Sequence, residues 1–162
     1  MPRHLLSACA ALATLTATAA VAQDAPGPSQ DAAWHNRQSL ALAERQASDG
    51  WGYLQGGVLW KRVKGDGTGA RPTVDDTVRL HYVGTLVDGT EFDSSVRRGQ
   101  PATFPLRGLI PAWQEAVPMM GVGDTIEIAV PADMAYGPVG RGPIPGGATL
   151  LFRIELLGIV GR

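Results

Sequence analysis

The sequence predicts an α+β domain, an antiparallel sheet with one short helix against one of its sides. Three segments alternate apolar and polar residues with a period of two: Val78, Leu80 and Tyr82; Ile126, Ile128 and Val130; and Leu150, Phe152, Ile154 and Leu156. In a strand that period turns one apolar side toward a core. Between the first two segments, Leu109 to Met120 carries Pro111 at a first helical position and is bracketed by Gly108 and Gly121, which marks a short helix. With 21 Gly and 12 Pro among 162 residues, the chain suits strands joined by many turns and argues against a helical bundle.

Taken in order, the chain opens with a basic start, Met1 to His4, then an apolar Ala- and Thr-rich stretch, Leu5 to Ala20, closed by the small-x-small site Ala20-Val21-Ala22. That is the pattern of a secretory signal peptide over 1–22, and the stretch is short for a membrane span. The competing reading, lipidation of Cys9 in Leu6-Ser7-Ala8-Cys9, leaves only Leu5 to Ala8 as the apolar segment before it. Cleavage after Ala22 gives a chain from Gln23 with no cysteine, hence no disulfide and no thiolate chemistry. Residues 23–53 are expected to hold a linker, Asp24 to Gln30, and a helix capped by Asp31 and running through Ser48. Its apolar stripe of Trp34, Leu40 and Ala41 is weak, so it either packs on the domain or sits loosely outside. Asp49-Gly50 ends it, Gly56-Gly57 opens a strand through Val63, and Gly65-Asp66-Gly67-Thr68-Gly69 turns the chain. No Gly-Lys-Ser/Thr follows those glycines, which removes a phosphate loop. Asp88-Gly89 marks a hairpin.

Composition excludes several chemistries. A formal net charge of -1 lacks the basic excess that a phosphate backbone requires, so no nucleic acid partner is expected. His4, His35 and His81 have no metal-ligand spacing, Ser94 and Ser95 lack a nucleophile elbow, and Glu91 with Asp93 would serve a glycosidase only beside a sugar cleft.

What stands out is a set of aromatic residues on separate turns: Tyr82, Phe92, Phe104, Trp113, Tyr136 and Phe152. Singly, each reads as core. Their contexts say more. His81-Tyr82-Val83-Gly84-Thr85-Leu86, Asp88-Gly89-Thr90-Glu91-Phe92-Asp93-Ser94-Ser95, Leu109-Ile110-Pro111-Ala112-Trp113, Ala135-Tyr136-Gly137, and Ile144-Pro145 before Ala148-Thr149-Leu150-Leu151-Phe152 follow one another in order. From about Leu54 to Gly158 the chain resembles the FKBP-type peptidyl-prolyl cis-trans isomerases. The resemblance implies a domain over 54–162, a five-stranded antiparallel sheet wrapped around a short helix, and an apolar pocket between them. By the same resemblance Trp113 is the pocket floor, and Tyr82, Phe92, Phe104, Leu109, Ile110 and Phe152 are walls that bind substrate together with Ile144. Asp93 and Tyr136 form a catalytic polar rim, and the Ile110 N–H meets a carbonyl of the bound peptide.

The implied function is isomerisation of X-Pro bonds in exported proteins, without cofactor or metal. The alternative is a module or chaperone that holds proline segments with little turnover. Implied partners are proline-containing peptides and unfolded exported proteins, with macrolides of the tacrolimus type as inhibitors. The expected state is a monomer without a membrane span, periplasmic or secreted. Two departures bear on the pocket. Ala102 stands where many members have a larger pocket residue, and Gly146-Gly147 follows Pro145 where a second proline is common.

Overall fold

The computed structural model describes residues 31–161; the signal peptide expected over 1–22 and the linker up to Gln30 lie outside them. Helix α1 spans Ala32–Ala43, begun by the Asp31 side chain accepting the Trp34 N–H. It stops short of Ser48, because the chain passes into a 3-10 turn, Ala47–Asp49, closed by Gly50 at φ 83°. Strands β1 Gly52–Tyr53 and β2 Leu59–Lys64 follow, and β2 begins later than the expected Gly56 because Gln55–Gly57 folds as a tight turn.

The remaining elements are β3 Thr77–Leu86, β4 Glu91–Ser94, β5 Ala102–Pro105, α2 Pro111–Ala116, β6 Thr125–Val130, β7 Gly140–Arg141, β8 Ile144–Pro145 and β9 Leu150–Ile159. The main sheet runs β1-β2-β6-β9-β3-β4, with β5 also on β3, and its pairs are antiparallel. Strand β5 pairs with Thr77–Leu80 and β4 with Val83–Thr85, so the two share one lane along the edge of β3. The long lanes are therefore the five expected, flanked by the two-residue β1 and a separate β7–β8 hairpin. Helix α2 starts at Pro111 as the sequence indicates, but ends at Ala116, because Pro118 has no N–H to continue the ladder.

The core lies between α2 and one face of the sheet. Ala112, Trp113 and Ala116 pack against Leu80, Ile126, Ile128, Leu150, Ile154 and Leu156, all buried. Each such aliphatic side chain contributes about 1.5–3 kcal/mol of burial. Strand β6 departs from the half-buried pattern. Thr125 and Ala129, on its other face, are also buried, as is Leu59, which pairs with Ala129. Helix α1 packs near β6 and places Trp34 against the core instead of standing off the domain. The glycine-rich turn wraps an internal carboxylate: Asp124, 3% exposed, accepts the N–H groups of Gly67 and Gly121 and pairs with Arg62 at 3.1 Å. A side chain at Gly65 would collide with it, its Cβ falling 1.8 Å from Asp124 Oδ1.

Candidate functional site

The two central strands place the first walls. On β3, Tyr82 faces the core opposite Ile154 of β9, and Gly84 lies opposite Phe152. A Cβ at Gly84 would come within 2.7 Å of Phe92 and 2.9 Å of Phe152, so its absence lets those rings meet edge to face, 5.6 Å apart at 88°. Pairing of β4 with β3 sets Asp93 opposite Gly84. The first turn of α2 carries Trp113 down between the walls, 5.3 Å from both Tyr82 and Phe152 and nearly perpendicular to each. Phe104 on β5 adds a ring 6.2 Å from Tyr82.

These rings, with Leu109 and Ile110, enclose a cavity of about 180 Å³ whose lining also includes Asp93, Tyr136 and Arg141. Nine of the ten residues singled out from the sequence thus meet around one space. The tenth, Ile144, borders an adjoining mouth of about 270 Å³ shared with Phe92, Asp93, Tyr136 and Arg141. Ala102 packs against the core and does not line the cavity, whereas Phe104, next on the same face of β5, does. Among the described residues, neither the Ile110 N–H nor the Tyr136 hydroxyl finds a hydrogen-bond partner. Both remain open to a ligand.

At the rim, charge is organised by a residue the sequence reading did not single out. Arg98 donates to Asp93 Oδ1 and, at 3.0 Å, to the Tyr82 hydroxyl, which itself donates to Asp93 Oδ2. Burial pushes the Asp93 carboxyl up, but the hydrogen bonds from Tyr82 and Arg98 and the guanidinium charge outweigh it and hold the group below its usual 3.8. Burial, then the bond to that carboxylate, pushes the Tyr82 phenol up. The rim therefore holds an ionised Asp93 and a neutral Tyr82 at neutral pH. Arg98 comes back to Asp93 through the turn after Ser94, where no periodicity marks it. Arg141 was likewise unassigned; its guanidinium lies 5.9 Å over the Tyr136 ring. Among the described residues, no group of three His, Cys, Asp or Glu side chains is placed to hold a metal.

The family model for FKBP-type peptidyl-prolyl cis-trans isomerase matches residues 69–157. The chain is 48% identical over 118 residues to the FKBP-type isomerase FkpA of Aeromonas hydrophila, covering 73% of this chain and 44% of that one. It is 47% identical over 120 residues to the FKBP-type 22 kDa isomerase of Escherichia coli K12, covering 74% and 58%. The chain thus spans about half the length of these curated relatives. A crystal structure of a peptidyl-prolyl cis-trans isomerase from Pseudomonas syringae matches with TM-score 0.72 at 32% identity, over 83% of this chain and 98% of that one. FkpA from Escherichia coli matches with TM-score 0.69 at 35% identity, over 77% and 60%.

Proposed function

The chain belongs to the FKBP-type peptidyl-prolyl cis-trans isomerase family, and from that membership we propose that it speeds rotation about X-Pro bonds in exported proteins. The observation that carries the reading is the aromatic cavity floored by Trp113, with an unpaired Ile110 N–H and Tyr136 hydroxyl beside the Tyr82–Asp93–Arg98 cluster.

Amide resonance sets a rotation barrier of about 18–20 kcal/mol, and twisting the bond removes that resonance and much of the amide dipole. A dry aromatic cavity costs a twisted amide less than a planar one, because less dipole must be stripped of water. The reaction breaks no covalent bond, so it asks for no nucleophile and no net proton transfer. A thousandfold acceleration needs only about 4 kcal/mol of preference for the twisted state. In the proposed pose the Ile110 N–H holds a peptide carbonyl, the rings grip the proline, and Tyr136 and Asp93 bond groups whose polarity changes during rotation. Macrolides of the tacrolimus type compete for the same cavity. Export with cleavage after Ala22, release to the periplasm and a monomeric state complete the proposal; no helix among the described residues is long and apolar enough to cross a membrane.

Exchange NMR on a peptide with one X-Pro bond tests the reading, since it measures binding and cis/trans interconversion separately. Catalysed exchange supports it. Binding with exchange left at the spontaneous rate would make the domain a proline-binding module instead.

A further inference from the structure

The mouth of the cavity is framed by the loop over residues 136–148, which carries Tyr136, Arg141 and Ile144, and α1 is fastened to its far end. Gln38, 6% exposed, accepts the Thr149 backbone N–H on Oε1 at 2.9 Å, while its backbone carbonyl accepts the Thr149 hydroxyl at 3.2 Å. At the start of the same helix, Trp34 and His35 stand over Gly147: a Cβ there would sit 3.6 Å from the Trp34 ring and 3.7 Å from His35. The Gly147 N–H in turn donates at 2.9 Å to the carbonyl of Gly137, the residue after Tyr136. Beside it, Gly146 lies so close to Pro138 that a Cβ would fall 2.0 Å from the Pro138 carbonyl oxygen. Hydrogen bonds and the chain itself therefore connect α1, through Thr149 and Gly147, to Gly137 beside Tyr136.

We propose that α1 is a strap that holds the mouth loop in its peptide-receiving position, with Gln38 as the positioning residue. The inference rests on the function proposed above and names how its site is kept in shape. Thr149 is 3% exposed, so a lost acceptor at Gln38 is not replaced by bulk water and its N–H is satisfied only if the chain shifts. A loop so released spreads over several conformations, and a peptide then has to select the competent one before binding. Affinity falls, while the chemistry of the bound complex is unchanged.

The test uses the full chain. Gln38→Met keeps the length of the side chain and removes the acceptor; Thr149→Val breaks the second bond from the strand side, Thr149→Ser keeps it, and Asn36→Ala alters an exposed position of α1 as a control. Backbone amide exchange at Gly137 and Gly147 is measured beside KM and kcat for a peptide with one Ala-Pro bond. Gln38→Met and Thr149→Val are each expected to raise KM about threefold to tenfold with kcat within about twofold, and to speed exchange at both glycines. Thr149→Ser and Asn36→Ala are expected to match the wild type. If Gln38→Met and Thr149→Val lower the melting temperature alone, leaving KM and glycine exchange unmoved, the strap is overturned. A wild type without isomerase turnover would remove the proposed function, and the exchange arm would still decide the strap on its own.

Discussion

Tyr136 and Asp93 share the rim but are held differently. The Tyr136 hydroxyl has no partner among the described residues, whereas both oxygens of Asp93 are engaged by Tyr82 and Arg98. Tyr136→Phe removes a single donor that a twisting amide can use; Asp93→Ala removes a charge and unlocks two neighbours. Each is expected to lower kcat by about threefold to a hundredfold, or about 0.7–2.7 kcal/mol, with smaller effects on peptide affinity. Trp113→Ala should instead weaken binding and cost about 3–5 kcal/mol of stability, as loss of a large buried side chain does. Exchange NMR and urea melts on the three variants separate the cases, and equal loss of binding and turnover from Tyr136→Phe would make that hydroxyl a ground-state contact. The pH dependence follows from the direction of the Asp93 shift. Because its folded value lies below 3.8, the stabilisation it provides is complete above 3.8 and is lost as pH falls through the folded value. Activity should accordingly show no acidic limb above about pH 5, and a midpoint near the usual histidine value of about 6.5 would remove Asp93 from the role. Tyr82, Phe92, Trp113, Tyr136 and Phe152 were legible because each sits in one of the short strings that carry the family resemblance, whereas Phe104 sits in none of them. Arg98 was not, since a turn returns it to Asp93 and a turn has no period to reveal its partner.

Among the elements, the strands were the most legible, because burial on one face forces alternation, and α2 could be placed from Pro111 because a residue without an N–H costs nothing at the first helical position. Legibility failed where an element owes its place to distant partners. Nothing in Ala102–Pro105 and Glu91–Ser94 says that they follow one another along the same edge of β3. The stripe on α1 is faint because its buried contact is Gln38, a polar residue whose partner Thr149 lies far along the chain. The β3–β4–β9 contact around Gly84 offers a test at this scale. A methyl group there meets both Phe92 and Phe152 at under 3.0 Å, and both belong to walls of the cavity. Gly84→Ala is expected to cost about 1–3 kcal/mol through overpacking, and to weaken peptide binding because one ring must swing into the cavity. Denaturant melts with a peptide titration check it. Full affinity with full stability would show that the rings yield without closing the space.

At the scale of the whole molecule, the folding unit is larger than the segment the family model matches. That match begins at residue 69, yet β2, over Leu59–Lys64, pairs with β6, and α1 packs near the same strand. Helix α1, at the start of the described residues, is thereby tied to strands that come much later in the chain. An element that packs near a central strand and holds buried Thr149 by two hydrogen bonds shares its stability with the sheet, because its loss would leave Thr149 exposed and unpaired. Unfolding of the described region is therefore expected to be a single transition. Trp34 on α1 and Trp113 on α2 report from the two helices, and in each variant that keeps one of these as the sole Trp of the four, the urea midpoint by fluorescence should coincide with that same variant's midpoint by circular dichroism of the sheet. The dependence on urea should be about 1–3 kcal/mol per molar, as for other small domains. An earlier transition at Trp34 would mean that α1 unfolds alone. In that event its bonds to Thr149 would be too weak to act on the mouth loop, and coincident midpoints are thus a condition that the strap must meet as well as the fold.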